Sequence, residues 1–362
     1  MSIKVSIRKK LSRTFTLETE FETGDSGCLG ILGASGCGKS MTLKCIAGIE
    51  QPDEGHISIN GRVLFDSARR INLKPQVRRV GYLFQNYALF PRMTALENIM
   101  AGLPGRERRV EKRRKALDRI RQFGLEGLED RYPAMLSGGQ QQRTALARML
   151  IREPEAILLD EPFSALDSSL REQMQIQTLE LLENHRDVIL VTHSRDEVFK
   201  LCGELLIMDG GRALKQGKTG DLFRNPGLTT AARLTGCKNI SPAKRIGERK
   251  IAAPDWGLTL QTAVPLGDDI THVGIRAHDF VPAGESVAEV PGNRIRLAVS
   301  RRSEEPFETV VIFTNADARN PEEKHEIWWK YSRYMRYPEI PAELYAPPEA
   351  LLLLKEGADD EN

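Results

Sequence analysis

Residues Gly33, Ala34, Ser35, Gly36, Cys37, Gly38, Lys39 and Ser40 spell GxxxxGK[ST]. The motif lies between an apolar run at 28–32 and a helical pattern at 39–49. A strand that runs through such a loop into a helix is the context the motif requires. The glycines let backbone N–H groups approach phosphate oxygens, and the helix N-terminus adds a favourable dipole. Lys39 is expected to neutralise the β- and γ-phosphates, and Ser40 to offer its hydroxyl to Mg²⁺. The chain is therefore expected to bind Mg-ATP and to hydrolyse it.

The surrounding pattern agrees with an α/β fold. Asn60-Gly61 between apolar segments at 56–60 and 62–65 signals a β-hairpin. Short apolar runs at 80–84, 156–159 and 188–191 read as strands, the last two buried. Helical patterns cover 106–122 and 138–152, the second stopped near Pro154. The first of these is very basic. It reads as a solvated face, with contact to anionic lipid or a partner's acidic loop as the alternative. Ser168 can cap a further helix carrying Met174, Leu181 and Leu182 on one face. After about residue 235, Gly and Pro punctuate short alternating segments such as 294–299 and 309–313. That pattern predicts a small β-rich domain. Residues 356–362 read as a frayed acidic tail.

A net charge of +2 over 362 residues supplies no bulk field to recruit nucleic acid. The five cysteines, Cys28, Cys37, Cys45, Cys202 and Cys237, form no CxxC pair. Disulfides and zinc are not expected, and a reducing cytoplasm fits best. The first residues lack the apolar core of a signal peptide. No stretch reaches the roughly 18 apolar residues that a membrane helix needs.

A second acidic motif completes the chemistry. Residues 156–161 read AILLDE, which ends a buried strand on two carboxylates. Asp160 is placed to hold the Mg²⁺ shell. Glu161 can orient and deprotonate the attacking water.

These two motifs alone describe a P-loop NTPase. Between them lies Leu136-Ser137-Gly138-Gly139-Gln140, followed by a helix and then the Asp160-Glu161 strand. Gln85 precedes it, and Ser164-Ala165-Leu166-Asp167 and His193 follow. With all six motifs in order across 33–193, the sequence resembles the nucleotide-binding subunits of ABC transporters. The resemblance implies an ABC cassette over 1–235 with a helical subdomain at about 86–153, followed by a β-rich accessory domain over 236–362. It implies that Ser137, Gly138, Gly139 and Gln140 cap the nucleotide of a second, head-to-tail subunit, most simply in a homodimer. It further implies that Gln85 touches Mg²⁺ and the attacking water, that His193 contacts the γ-phosphate, and that Asp167 helps set the subunit interface.

The segments at 61–66 and 78–91 look like those of importer ATPases, most similar to the molybdate and sulfate group. The implied partners are an integral membrane permease and, indirectly, an extracytoplasmic solute-binding protein, with no nucleic acid. The implied place is the cytoplasmic face of the cell membrane. Residues 86–93 would form part of the groove that receives the permease, with local packing as the other reading. Molybdate is the first expectation for the solute, with sulfate or tungstate next. Polyamine, iron and sugar importers share the motif set, and a soluble ABC ATPase without a transport role is the remaining alternative.

These ATPases usually stack adenine on an aromatic ring upstream of the phosphate loop, and 8–13 holds none. Phe15 and Phe21 are the nearest aromatics. The cluster Trp328, Trp329, Tyr331, Tyr334 and Tyr337 reads as packing rather than a ligand pocket. Likeness to an oxyanion-sensing domain is confined to Gly274-Ile275-Arg276.

Overall fold

The computed structural model describes residues 2–24, 27–105, 107–164, 166–182, 187–284, 291–318, 320, 324–335, 337 and 339–357. It divides into two compact units, 1–220 and 221–362. Ala165, Arg106 and the side chains of Ser168, Leu181 and Leu182 lie outside the described residues, as does the tail beyond 357.

The first unit is built on eleven strands. In chain order they begin with β1 (Ile3–Lys10), β2 (Thr16–Glu22) and β3 (Cys28–Leu32), and helix α1 (Lys39–Ala47) follows. Next come β4 (Glu54–Ile59), β5 (Arg62–Asp66), β6 (Ile71–Asn72), helix α2 (Pro75–Arg78) and β7 (Val80–Leu83). Helices α3 (Ala95–Ala101), α4 (Arg109–Gln122) and α5 (Gly138–Leu150) then run without an intervening strand. After them come β8 (Ala156–Asp160), α6 (Ser168–Leu182), β9 (Val188–Thr192), α7 (Arg195–Leu201), β10 (Glu204–Asp209) and β11 (Arg212–Lys218). The sheet order is β6-β5-β4-β1-β2-β11-β10-β3-β9-β8-β7. Strands β10, β3, β9, β8 and β7 are mutually parallel. The β6-to-β2 half is antiparallel.

Local chemistry explains the joints. Asn60 and Gly61 take positive φ, 51° and 77°, between β4 and β5. That is the two-residue turn whose twist matches a hairpin. Strands β8 and β9 are buried at every position, as a parallel sheet covered on both faces requires. Helix α4 begins at Arg109 and buries only Ala116 and Ile120. Part of its charge is self-paired, with Arg114 on Glu111 and Arg121 on Asp118. Helix α6 starts at Ser168, and the Asp167 carbonyl accepts from the Arg171 N–H.

The C-terminal end of α1 rests on one side chain. Arg78 is fully buried, and no carboxylate pairs with it among the described residues. Its guanidinium donates to the carbonyls of Cys45 and Ile46 at 2.8 Å each, to Leu73 O and to Asn72 Oδ1. A cation on the last carbonyls satisfies orphan acceptors and opposes the helix dipole. Gly48 ends the helix at φ 78°, and a Cβ there would come within 2.5 Å of Arg78 Nε.

The second unit holds three small sheets. One joins Asn239–Pro242, His272–Ile275 and Leu352–Leu354, and another joins Lys244–Gly247, Lys250–Ala253 and Leu258–Gln261. The largest has five strands and includes Arg294–Glu304, Glu308–Asn315 and Ile327–Ser332. Its core includes Trp256, Phe280, Phe313 and Trp329. The Trp329, Tyr331 and Tyr337 rings stack at 4.4–5.7 Å, so these aromatics are packing residues. Tyr334 is exposed. Arg276 donates to the carbonyls of Thr235 and Phe223 and to Thr235 Oγ1, which makes it a tie within the unit.

Replacing Arg78 with Met should strip the described donor from the Ile46 and Leu73 carbonyls, while Cys45 O keeps the Gly48 N–H, and cost about 3 kcal/mol. A lowered urea midpoint with an unchanged slope would show it; an unchanged midpoint would refute the capping role.

Candidate nucleotide site

The parallel order β3-β9-β8-β7 brings four strand ends to one edge of the sheet. The phosphate loop leaves β3, His193 leaves β9, Asp160 and Glu161 end β8, and Gln85 follows β7. Ligands of open parallel sheets bind at this carboxyl edge.

Gly36 and Gly38 sit at φ 83° and 103°, where a Cβ would be strained. A Cβ on Gly33 would lie 2.2 Å from Met208 O. Helix α1 has Gly38 at its N-cap with no side-chain cap, so its first N–H groups are left for an anion. The buried Lys39 ammonium donates to Gly33 O and Ala34 O at 2.8 Å each. This holds its charge within the loop. Cys37 is also buried, and burial pushes its thiol pKa up.

The Ser40 hydroxyl donates to Asp160 Oδ1 at 2.6 Å. The pair offers hard oxygen donors of the kind Mg²⁺ takes together with phosphate oxygens and water. No group of three or more His, Cys, Asp or Glu side chains among the described residues could hold a metal by itself. The donor set therefore suits a cation that arrives with a nucleotide.

Glu161 is the centre of a second group. Gln85 Nε2 donates to Glu161 Oε2 at 3.1 Å, and His193 Nδ1 lies 3.3 Å from Oε1. Glu161 has φ 45°, unusual for a residue with a side chain. Such a conformation costs about 1–3 kcal/mol and concentrates at functional positions. The Glu161 carbonyl in turn accepts from Ser164 N and Oγ. His193 stands on a tight turn in which Ser194 N donates to Thr192 Oγ1 and Thr192 Oγ1 donates to the buried Glu197.

Ser137 and Gln140 close a reciprocal capping box at the N-terminus of α5. Gly138 and Gly139 occupy the first two helical positions. No described hydrogen bond joins Ser137, Gly138, Gly139 or Gln140 to the phosphate loop, and Asp167 is exposed at the start of α6.

Several neighbours escaped sequence reading. Tyr82 Oη donates to Asp160 Oδ2 at 2.8 Å. The signal was a tyrosine inside a buried strand, whose hydroxyl must find a partner, but the adjacency of β7 and β8 is a tertiary fact. All five cysteines are free, yet Cys28 Sγ and Cys202 Sγ lie 3.3 Å apart across 174 residues. In the loop after Gln85, Tyr87 and Ala88 take positive φ, and Arg148 donates to both carbonyls. Tyr87 is buried with its hydroxyl on Pro162 O, whereas Phe90 and Met93 are exposed. Local packing therefore accounts for Tyr87.

The two aromatic candidates near the phosphate loop also separate. Phe21 is buried on the core face of β2, and Phe15 is half-buried at the turn before it. Strand β2 is tied to the phosphate loop through Gly211. Its N–H donates to Cys37 O, and its carbonyl accepts from Glu18 N.

Known proteins agree with this geometry. The family described as ABC transporter matches residues 18–164. A sulfate/thiosulfate import ATP-binding protein of Chromobacterium violaceum is 37% identical over 260 residues, 71% of this chain and 68% of that one. A molybdenum import ATP-binding protein of Paramagnetospirillum magneticum is 40% identical over 219 residues, 59% of each chain. Relatives of similar identity are named for sn-glycerol-3-phosphate, spermidine/putrescine and Fe(3+) import. A solved dimeric ATP-binding cassette in a post-hydrolysis state with ADP and Pi superposes with a TM-score of 0.51 at 28% identity, covering 60% of this chain and 99% of that one. The phosphate loop, the acidic strand end and this likeness together place the chain in the ABC transporter family, among its import ATP-binding proteins, as an ATPase.

Proposed function

We propose that this ATPase energises a molybdate importer by closing and reopening a pair of cassettes on a membrane permease. The observation that carries the catalytic reading is Glu161, held by Gln85 on one carboxylate oxygen and beside His193 on the other. Its carboxylate is free to take the proton of a water that attacks the γ-phosphorus of ATP. The bond between that phosphorus and the β–γ bridging oxygen breaks, which leaves ADP and phosphate. Lys39 and the N-terminus of α1 stabilise the phosphates. Ser40, Asp160 and Gln85 would hold a Mg²⁺ ion, which would supply charge neutralisation at the phosphates.

Ser137, Gly138, Gly139 and Gln140 serve the nucleotide of a second copy. Their helix start makes no described bond to its own phosphate loop, and Ser137 at its cap is exposed. Asp167, exposed at the start of α6, faces that same subunit boundary in this reading. The dimeric assembly of the solved cassette supports the arrangement. A homodimer is the simplest form, because one chain carries one phosphate loop and one signature. Phe15 is the adenine-stacking residue of this reading, since Phe21 is committed to the core.

Exposed Phe90 and Met93 form the permease-docking surface, with Arg148 over the Phe90 ring at 5.3 Å. No described helix is long and apolar enough to cross a membrane; in this reading a separate permease supplies the path. The subunit would then sit at the cytoplasmic face of the membrane and meet a solute-binding protein only through the permease. Molybdate is the solute of this reading, and the 40% identical molybdenum relative is compatible with it, as the sulfate relative is with sulfate. The cassette is taken as 1–235 and the accessory domain as 236–362. Polyamine, iron and sugar-phosphate importers are the competing assignments.

The Glu161→Gln variant should retain ATP binding, lose about 10²–10⁴-fold in turnover, and elute as a dimer with ATP in size-exclusion chromatography. Full activity in that variant would remove Glu161 from the chemistry. The Phe15→Ala variant should weaken ATP binding by about 1–2 kcal/mol, read by calorimetry, whereas unchanged affinity would place the adenine elsewhere. In proteoliposomes with the cognate permease and binding protein, molybdate should stimulate ATP hydrolysis more than sulfate or spermidine does. Stimulation by another solute alone would overturn molybdate and leave the importer reading in place.

A further inference from the structure

Asp160 is gripped at both carboxylate oxygens, by Ser40 Oγ on Oδ1 at 2.6 Å and by Tyr82 Oη on Oδ2 at 2.8 Å. Ser40 belongs to the phosphate loop. Tyr82 belongs to no nucleotide motif, yet its contact with the acid is only 0.2 Å longer. We propose that Tyr82 is a positioning residue of the ATPase site, fixing the Asp160 carboxylate so that Oδ1 faces Ser40 and the metal subsite. The inference rests on the assignment of Asp160 to the Mg²⁺ shell.

The sheet register makes the contact possible. Strands β7 and β8 pair in parallel with Tyr82 opposite Leu158. Asp160 lies two residues beyond Leu158, so the two share a face with Tyr82. Two residues of strand rise span about 6.6 Å, close to the reach of a tyrosine from Cα to hydroxyl. A shorter side chain at 82 would fall short, and phenylalanine would reach without a donor. The Phe84 ring lies 4.5 Å from the Tyr82 ring and limits its motion.

The carboxylate needs this second hold. Asp160 is almost fully buried at the end of an all-apolar strand. Ser40 constrains only one of its oxygens, and that hydroxyl is itself wanted by the cation. When Ser40 turns to a metal, Tyr82 remains the group that keeps the acid in its rotamer. Groups that orient a metal-binding side chain in this way alter affinity without touching the ion.

Packing is the competing explanation, and Tyr82→Phe separates the two because it removes a single oxygen. Mn²⁺ binding to the full chain with ADP, followed by electron paramagnetic resonance, reports the metal subsite without turnover. A fluorescent ADP analogue in EDTA reports nucleotide binding without metal. Tyr82→Phe should weaken Mn²⁺ binding about 10-fold while metal-free nucleotide affinity and the urea midpoint hold steady. Parallel losses in all three readouts would overturn positioning in favour of packing. Unchanged Mn²⁺ affinity in Tyr82→Phe, with Asp160→Asn losing it, would overturn the Tyr82 role and keep Asp160 in the metal shell. Unchanged affinity in both variants would overturn the two assignments together.

Discussion

Every group of the candidate site depends on four parallel strands that stop at one edge. Adjacent strands stand about 4.8 Å apart, so β3, β9, β8 and β7 deliver their last residues across a span that one nucleoside triphosphate can bridge. The strand order places His193 beside the phosphate loop, the acids next, and Gln85 at the far side. Only the parallel arrangement does this, because an antiparallel neighbour would send its carboxyl end to the opposite edge. The buried, apolar character of β8 and β9 is therefore a functional requirement as much as a stability term. A polar interruption would shift the register and move the acids off the loop.

Strain and polar ties accumulate where that edge meets solvent. Glu161 turns out of β8 in a left-handed conformation, and Ser164 donates twice to its carbonyl. Tyr87 and Ala88 adopt the same region of backbone space and are held by Arg148. Tyr87 reaches Pro162 O, one residue after Glu161. The loop after Gln85, which also carries the exposed Phe90 and Met93, is thus tied by one hydrogen bond to the residue that follows Glu161. If Glu161 and that exposed pair act as proposed, a change at one would be felt at the other by linkage.

Motif spacing made the fold class and the phosphate loop legible, because GxxxxGK[ST] between strand and helix has few structural solutions. The strand runs were visible for the same reason that they bury, as short apolar blocks without period. Contacts between distant segments were not visible. Arg78 looked like one more cation among 52 Lys and Arg residues, and its burial against the end of α1 is a tertiary contact that no local pattern encodes. The Cys28–Cys202 pair and the Tyr82–Asp160 bond are likewise products of strand and helix order. Phe15 and Phe21 looked alike in sequence until the alternation of β2 assigned one to the core and left the other half-buried at the turn before the strand.

The signature at α5 is where the proposed second chain would complete the site. A capping box already satisfies the N–H groups of Ser137 and Gln140. Gly138 and Gly139 lie between them, and their N–H groups have no intrahelical partner at the first positions of a helix. A Cβ on Gly138 would sit 3.2 Å from Leu166, so this position is also tight against the segment that follows Glu161. N–H groups at a helix start are suited to phosphate. In the proposed pair of cassettes, an ATP touched by the phosphate loop of one chain and the signature of the other would join the two, and its γ-phosphate would be the group whose removal weakens that junction.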